Sequence, residues 1–168
     1  MNHAMKHGIY VDTSVVGGCF DFEFQTWSNL LFHKFITGNC VAVLSDLTLQ
    51  ELETAPERVR NKILEIPSRH KRLLSVTDEI NKLAETYILE GTLTNKSFSD
   101  TLHIALVTIN NVDVLASWNF KHIVNLNRIR LYNSINVRFG YRIIEIRTPR
   151  EILEENDDDE SHERIRLR

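Results

Sequence analysis

The chain has 168 residues, 42% of them hydrophobic, with 20 Lys plus Arg against 23 Asp plus Glu, which places it among ordinary globular domains. At this length one core buries about 70% of the surface the unfolded chain exposes, so neither a disulfide nor a structural metal is needed to hold it. Residues 154–168 carry seven acids and three arginines, a charge of −4 that leaves the body at +1, so the global net charge of −3 does not exclude a nucleic-acid substrate.

Gly8-Ile9-Tyr10-Val11 is a short run of strand formers stopped by Asp12-Thr13-Ser14 and the Gly17-Gly18 pair, which predicts a buried strand ending in a polar loop. Trp27, Leu30, Leu31 and Phe35 recur at helical spacing over 25–36, and Gly38-Asn39 ends the pattern. Val41 to Leu44 reads as a second strand, followed by a helix capped by Ser45 or Asp46 and another between Pro56 and Pro67. A weaker strand over 73–76 precedes a helix from Asp78 to Glu90 with Thr77 as cap and Gly91 as stop. The apolar helix Ser97 to Ile109 leads into a strand at Val112 to Ala116. A helix within 126–139 and a strand at 141–146 complete the alternation, and Thr148-Pro149-Arg150-Glu151 announces a short final helix by its capping box.

Alternating strands and helices predict an α/β domain over 1–153 with a mainly parallel sheet, followed by a charged and disordered tail at 154–168. Cys19 and Cys40 have neither CxxC nor Cys/His spacing, so they read as idle thiols of a reducing compartment. No apolar run approaches the ~18 to 20 residues of a membrane span. Met1 to His7 is too polar for a secretory signal, so a cytoplasmic protein is expected.

Ligands of open parallel sheets bind beyond the carboxyl ends of the strands. Asp12 follows the first strand, Glu51 lies in the helix after the second, Ser117-Trp118-Asn119 follows the strand ending at Ala116, and Asp100 opens the helix leading into it. Convergent carboxylates there would form a hard-oxygen site for Mg²⁺ or Mn²⁺. Each also has a local explanation: an Asx turn for Asp12, a solvated helix face for Glu51, a Ser97-x-x-Asp100 capping box for Asp100 and a turn cap for Asn119. No Walker-type or GxGxxG loop supports a nucleotide-binding alternative.

Four segments together, Ile9 to Ser14, Ser45 to Leu52, Ser99 to Leu106 and Asp113 to Phe120, resemble the motif series of PIN domains, most closely the VapC-type toxin ribonucleases. The resemblance spans roughly residues 8–153 and implies a three-layer α/β/α sandwich that hydrolyses RNA with one or two divalent ions. It also implies a homodimer and a cognate antitoxin. Under it, Asp12, Glu51 and Asp100 match the first three acids and the metal ligands, and Thr13, Ser14 and Ser117 match hydroxyls that orient the carboxylates.

The fourth position of the pattern holds Asn119 where an acid is usual, so the site would carry −3 rather than −4 and bind a second ion more weakly. The amide oxygen of Asn119 could still contact a metal-bound water. Trp118, Lys121 and His122 are candidates for RNA contact, Trp118 as a stacking face or as a core aromatic. His103, on an otherwise apolar helix, reads as a buried hydrogen-bonded histidine, and the basic stretches 58–62 and 69–72 as solvated faces.

Overall fold

A computed structural model describes residues 7–91 and 97–155. Five strands, β1 (Gly8–Val11), β2 (Val41–Ser45), β3 (Lys71–Leu74), β4 (Val114–Ala116) and β5 (Glu145–Arg147), form one sheet in the order β3-β2-β1-β4-β5, and every neighbouring pair is parallel. β1 is central because its Ile9, Tyr10 and Val11 are apolar on both sides, as burial between two helical layers requires.

Alternation along the strands separates two cores. Tyr10, Val43 and Leu115 face α5 (Asp78–Leu89), α6 (Phe98–Ile109) and α7 (Leu126–Arg138). Ile9, Val11, Ala42, Leu44 and Ala116 face the other layer, built from α1 (Thr13–Gly18), α2 (Gln25–Thr37), α4 (Glu57–Lys62) and α8 (149–155). The α/β/α sandwich expected from the sequence is therefore present. α3 (Asp46–Leu52) follows β2 directly and carries Glu51 to the edge of the sheet.

Several local expectations hold for the reasons given. Ser45 accepts from the Thr48 N–H at 3.1 Å as the cap of α3, and Gly38 ends α2 in the left-handed region at φ 77°. Thr148 and Glu151 exchange reciprocal bonds at the start of α8, with Thr148 N to Glu151 Oε2 at 2.7 Å and Glu151 N to Thr148 Oγ1 at 3.2 Å.

Other expectations are corrected. The residues after β1 form a six-residue helix rather than a loop, with Val15, Val16 and Gly18 buried. Gly18 is a contact position: a Cβ there would lie 2.6 Å from Ser28 Oγ and 2.9 Å from Trp118 Nε1. β3 begins two residues earlier than expected, and of the stretch 141–146 only 145 and 146 join a strand, because β4 offers just three residues to pair with. Glu154 and Glu155 belong to α8, and the remainder of the expected tail lies outside the described residues.

Candidate active site

Asp12 leaves β1 with extended backbone and caps α1, accepting from the Val15 N–H at 3.3 Å. Its two oxygens also accept from Ser14 Oγ and Ser117 Oγ, each at 2.5 Å. Those serines are themselves acceptors: Ser14 Oγ takes the N–H of Trp118 at 2.8 Å and Ser117 Oγ that of Asn119 at 2.9 Å. Two hydroxyls thus tie the loop after β4 to the end of β1. Asp12 is only 4% exposed, and burial pushes its carboxyl above the ordinary value against the opposing pull of His103, Ser117 and Ser14.

Glu51 gathers donors from two distant segments. Oε2 accepts from Thr13 Oγ1 and from His103 Nε2, the latter at 3.1 Å, while Oε1 accepts from Ser99 Oγ. Thr13 follows Asp12 and Ser99 precedes Asp100, so Glu51 links the two segments that bear the other acids. Burial raises this carboxyl, but the hydrogen bond and charge of His103, with the Ser99 and Thr13 hydroxyls, outweigh it and hold it at about 2. Glu51 is therefore an engaged side chain and not a solvated one.

Asp100 stands in the first turn of α6, yet Ser97 makes no side-chain cap bond, so the capping-box explanation is excluded. The carboxylate instead accepts from Asn119 Nδ2 at 2.9 Å and from His122 Nδ1 at 2.8 Å. Asn119 turns its amide oxygen to the N–H of His122, 3.0 Å away. That oxygen closes a turn, and the amide nitrogen serves Asp100.

The residues proposed for RNA contact separate. Trp118 is 9% exposed, stacks on Phe24 at a centroid distance of 4.5 Å and donates to Ser28 Oγ at 2.9 Å. Its expected stacking face is occupied by protein, and the exposed aromatic at this edge is Phe120. Lys121 is exposed, whereas His122 is engaged by Asp100 and, at 3.3 Å, by Ser97 Oγ. Ser99 and Tyr10 belong to the network; both lie within the segments that carry the resemblance, but neither was assigned a role there. For Ser99 the available signal was its place beside Asp100, and Tyr10 reads from sequence only as a core strand residue.

The donor set matches a hard divalent cation in type, being carboxylates and hydroxyls at one sheet edge. Among the described residues no lysine or arginine forms an ion pair with Asp12, Glu51 or Asp100, whose charged partners are histidines alone. The acids are interleaved with hydroxyls rather than closed on one point: among the described residues no three His, Cys, Asp or Glu side chains are grouped closely enough to hold an ion together. Each carboxylate oxygen has two acceptor directions, so the existing bonds leave lone pairs for a cation.

No protein-family model and no curated protein sequence matches the chain. Among solved structures, VapC20 of Mycobacterium tuberculosis, described as a sarcin-ricin loop cleaving toxin, superposes with a TM-score of 0.53 at 16% identity over 68% of this chain and 92% of that one. VapBC2 of Rickettsia felis bound to a promoter DNA fragment gives 0.54 at 14% identity, over 84% and 98%. A toxin–antitoxin complex from Klebsiella pneumoniae gives 0.52 at 11%, over 84% and 97%. Identities this low establish the architecture and not the reaction: the chain has the PIN-like fold of the VapC toxins.

Proposed function

We propose that the chain is an Mg²⁺- or Mn²⁺-dependent endoribonuclease, the toxin of a toxin–antitoxin pair. The observation that carries the reading is the placement of Asp12, Glu51 and Asp100 at the carboxyl edge of a parallel sheet, oriented by hydroxyl and imidazole donors and paired with no lysine or arginine. Carboxylates bonded to hydroxyls and imidazoles, and to no lysine or arginine, keep open lone pairs that a hard cation would take.

Asp12, Glu51 and Asp100 would contact the ion, directly or through its waters, and Thr13, Ser14, Ser99 and Ser117 would keep the carboxylates in place. When bound, the ion lowers the pKa of water and offsets charge growing on the phosphodiester. Lys121, which is exposed, would meet the RNA backbone. Two of the structures with this fold are complexes of toxin with antitoxin, which supports an antitoxin as partner. A second copy of the chain is part of this reading, and the exposed Val137, Phe139 and Ile143 are candidates for its contact.

One observation favours a second reading, an RNA- or partner-binding protein of weakened activity: Asn119 donates to Asp100 where an acid would add a ligand. Cleavage of RNA with Mn²⁺ present, its loss with EDTA and its loss in Asp100→Ala support the nuclease. RNA binding without cleavage under any divalent ion supports the alternative. No helix among the described residues is long and apolar enough to cross a membrane.

A further inference from the structure

His103 is 3% exposed and both its ring nitrogens are engaged. Nε2 meets Glu51 Oε2 at 3.1 Å and Nδ1 meets the Tyr10 hydroxyl at 2.7 Å. Tyr10, fully buried in β1, also contacts Ser45 Oγ at 2.7 Å and Thr48 Oγ1 at 3.3 Å. An ionised Glu51 only accepts, so Nε2 carries a proton, while Nδ1 shares a hydrogen bond with the Tyr10 hydroxyl, which Ser45 and Thr48 hold in place. The result is a chain of hydrogen bonds that starts at the cap of α3, crosses the sheet edge through β1 and α6, and returns to Glu51 on α3.

This arrangement restricts Glu51. Thr13 and His103 together use both acceptor directions of Oε2, and Ser99 uses one of Oε1. We propose that His103 is a positioning residue acting through Glu51: anchored from behind by Tyr10, it saturates Oε2 and leaves Glu51 a single open lone pair, on Oε1, for a cation or water in the cleft. The inference rests on the nuclease reading of the same cleft. A space-filling role would be met by any side chain of similar volume, whereas positioning requires the N–H.

The test uses the full chain and His103→Phe, His103→Gln and Tyr10→Phe, each measured by Mn²⁺ calorimetry, RNA cleavage and melting in EDTA. Loss of an orienting partner costs about 10- to 100-fold in metal affinity or activity. His103→Phe should lose that much in Mn²⁺ affinity and kcat with little change in KM. His103→Gln, which keeps an N–H, should recover part of it. Tyr10→Phe, which does not touch Glu51, should move both in the same direction by less. In a Glu51→Gln background His103→Phe should add nothing, because the two act as one unit. Imidazole ¹⁵N NMR without metal should show a proton on Nε2.

Wild-type Mn²⁺ affinity and kcat in His103→Phe, full additivity with Glu51→Gln, or an Nε2 without a proton would overturn the proposal. If His103→Phe does not fold, Tyr10→Phe and the Nε2 proton decide it. If the wild-type protein neither binds Mn²⁺ nor cleaves RNA, the nuclease reading fails instead. The Nε2 proton and the coupling of His103→Phe with Glu51→Gln in metal-free melts then still decide whether His103 orients Glu51.

Discussion

The amide nitrogen of Asn119 lies 2.9 Å from Oδ1 of Asp100, so Asn119 donates to a carboxylate that an acid in its place would repel. Its other end accepts from the His122 N–H, a bond that Asp would make equally well. Asn119→Asp therefore keeps the turn and replaces one favourable contact by a close pair of negative charges. Without metal the variant should melt below the wild type, because one of the two carboxyls must take up a proton or move away. Mn²⁺ should raise its melting temperature by more than it raises that of the wild type, since the ion binds only the folded state. Calorimetric melts with and without Mn²⁺ check both; equal metal-free stability and equal gain would separate Asn119 from the ion.

Asp12 and Asp100 should be equally necessary for cleavage and unequal for stability. Asp100→Ala removes an acceptor from two partly exposed donors, and its melting temperature should stay within a few degrees of wild type while cleavage is lost. Asp12→Ala removes the cap of α1, worth about 1 kcal/mol, and leaves the Ser14 and Ser117 hydroxyls without their acceptor. It should melt distinctly lower, and Asp12→Asn, which keeps an acceptor oxygen, should recover part of the loss without recovering cleavage. Paired melts and cleavage assays test the asymmetry.

The Glu51 carboxyl titrates at about 2 in the folded protein against an ordinary 4.5. A folded value below the unfolded one contributes stability that is complete above pH 4.5 and is lost as pH falls through about 2. Glu51→Gln has no such contribution to lose. In EDTA, the stability gap between wild type and Glu51→Gln should therefore narrow between pH 5 and pH 2, as followed by denaturant melts across that range. The shift of Asp12 has the opposite sign, but Asp12 is present in both proteins and does not drive the difference. A gap that widens toward acid would contradict the assigned donors.

The adjacent glycines of α1 should respond in opposite directions to alanine. A Cβ on Gly18 would stand 2.6 Å from Ser28 Oγ, the acceptor of the Trp118 indole N–H, whereas a Cβ on Gly17 meets nothing within 4 Å. Gly18→Ala should cost about 1 to 3 kcal/mol as an overpacking change. Gly17→Ala should gain about 0.5 to 1 kcal/mol, because alanine loses less backbone freedom in a helix. Thermal melts of the two single variants settle the contrast.

What the sequence determined by itself was what local chemistry dictates. The alternation of apolar runs placed the strands, and Ser45, Thr77 and the Thr148/Glu151 box placed helix starts, because a capping hydroxyl acts on an N–H only three residues away. The motif order located Asp12, Glu51, Asp100 and Asn119, since in a parallel sheet the residues after successive strands share one edge. Tertiary structure decided what these residues touch. Whether Asp100 capped its own helix or faced Asn119 and His122 was open from spacing alone, and a contact across 19 or 22 residues selected the second. Trp118 was equally suited to stack on a base or on Phe24 until α2 brought Phe24 and Ser28 against it. The donors to Glu51 come from 38, 48 and 52 residues away, and the Tyr10 hydroxyl that fixes His103 from 93, so no periodicity in the chain could announce them. They meet only because the parallel order of β2, β1 and β4 brings α3, α1 and α6 to the same end of the sheet.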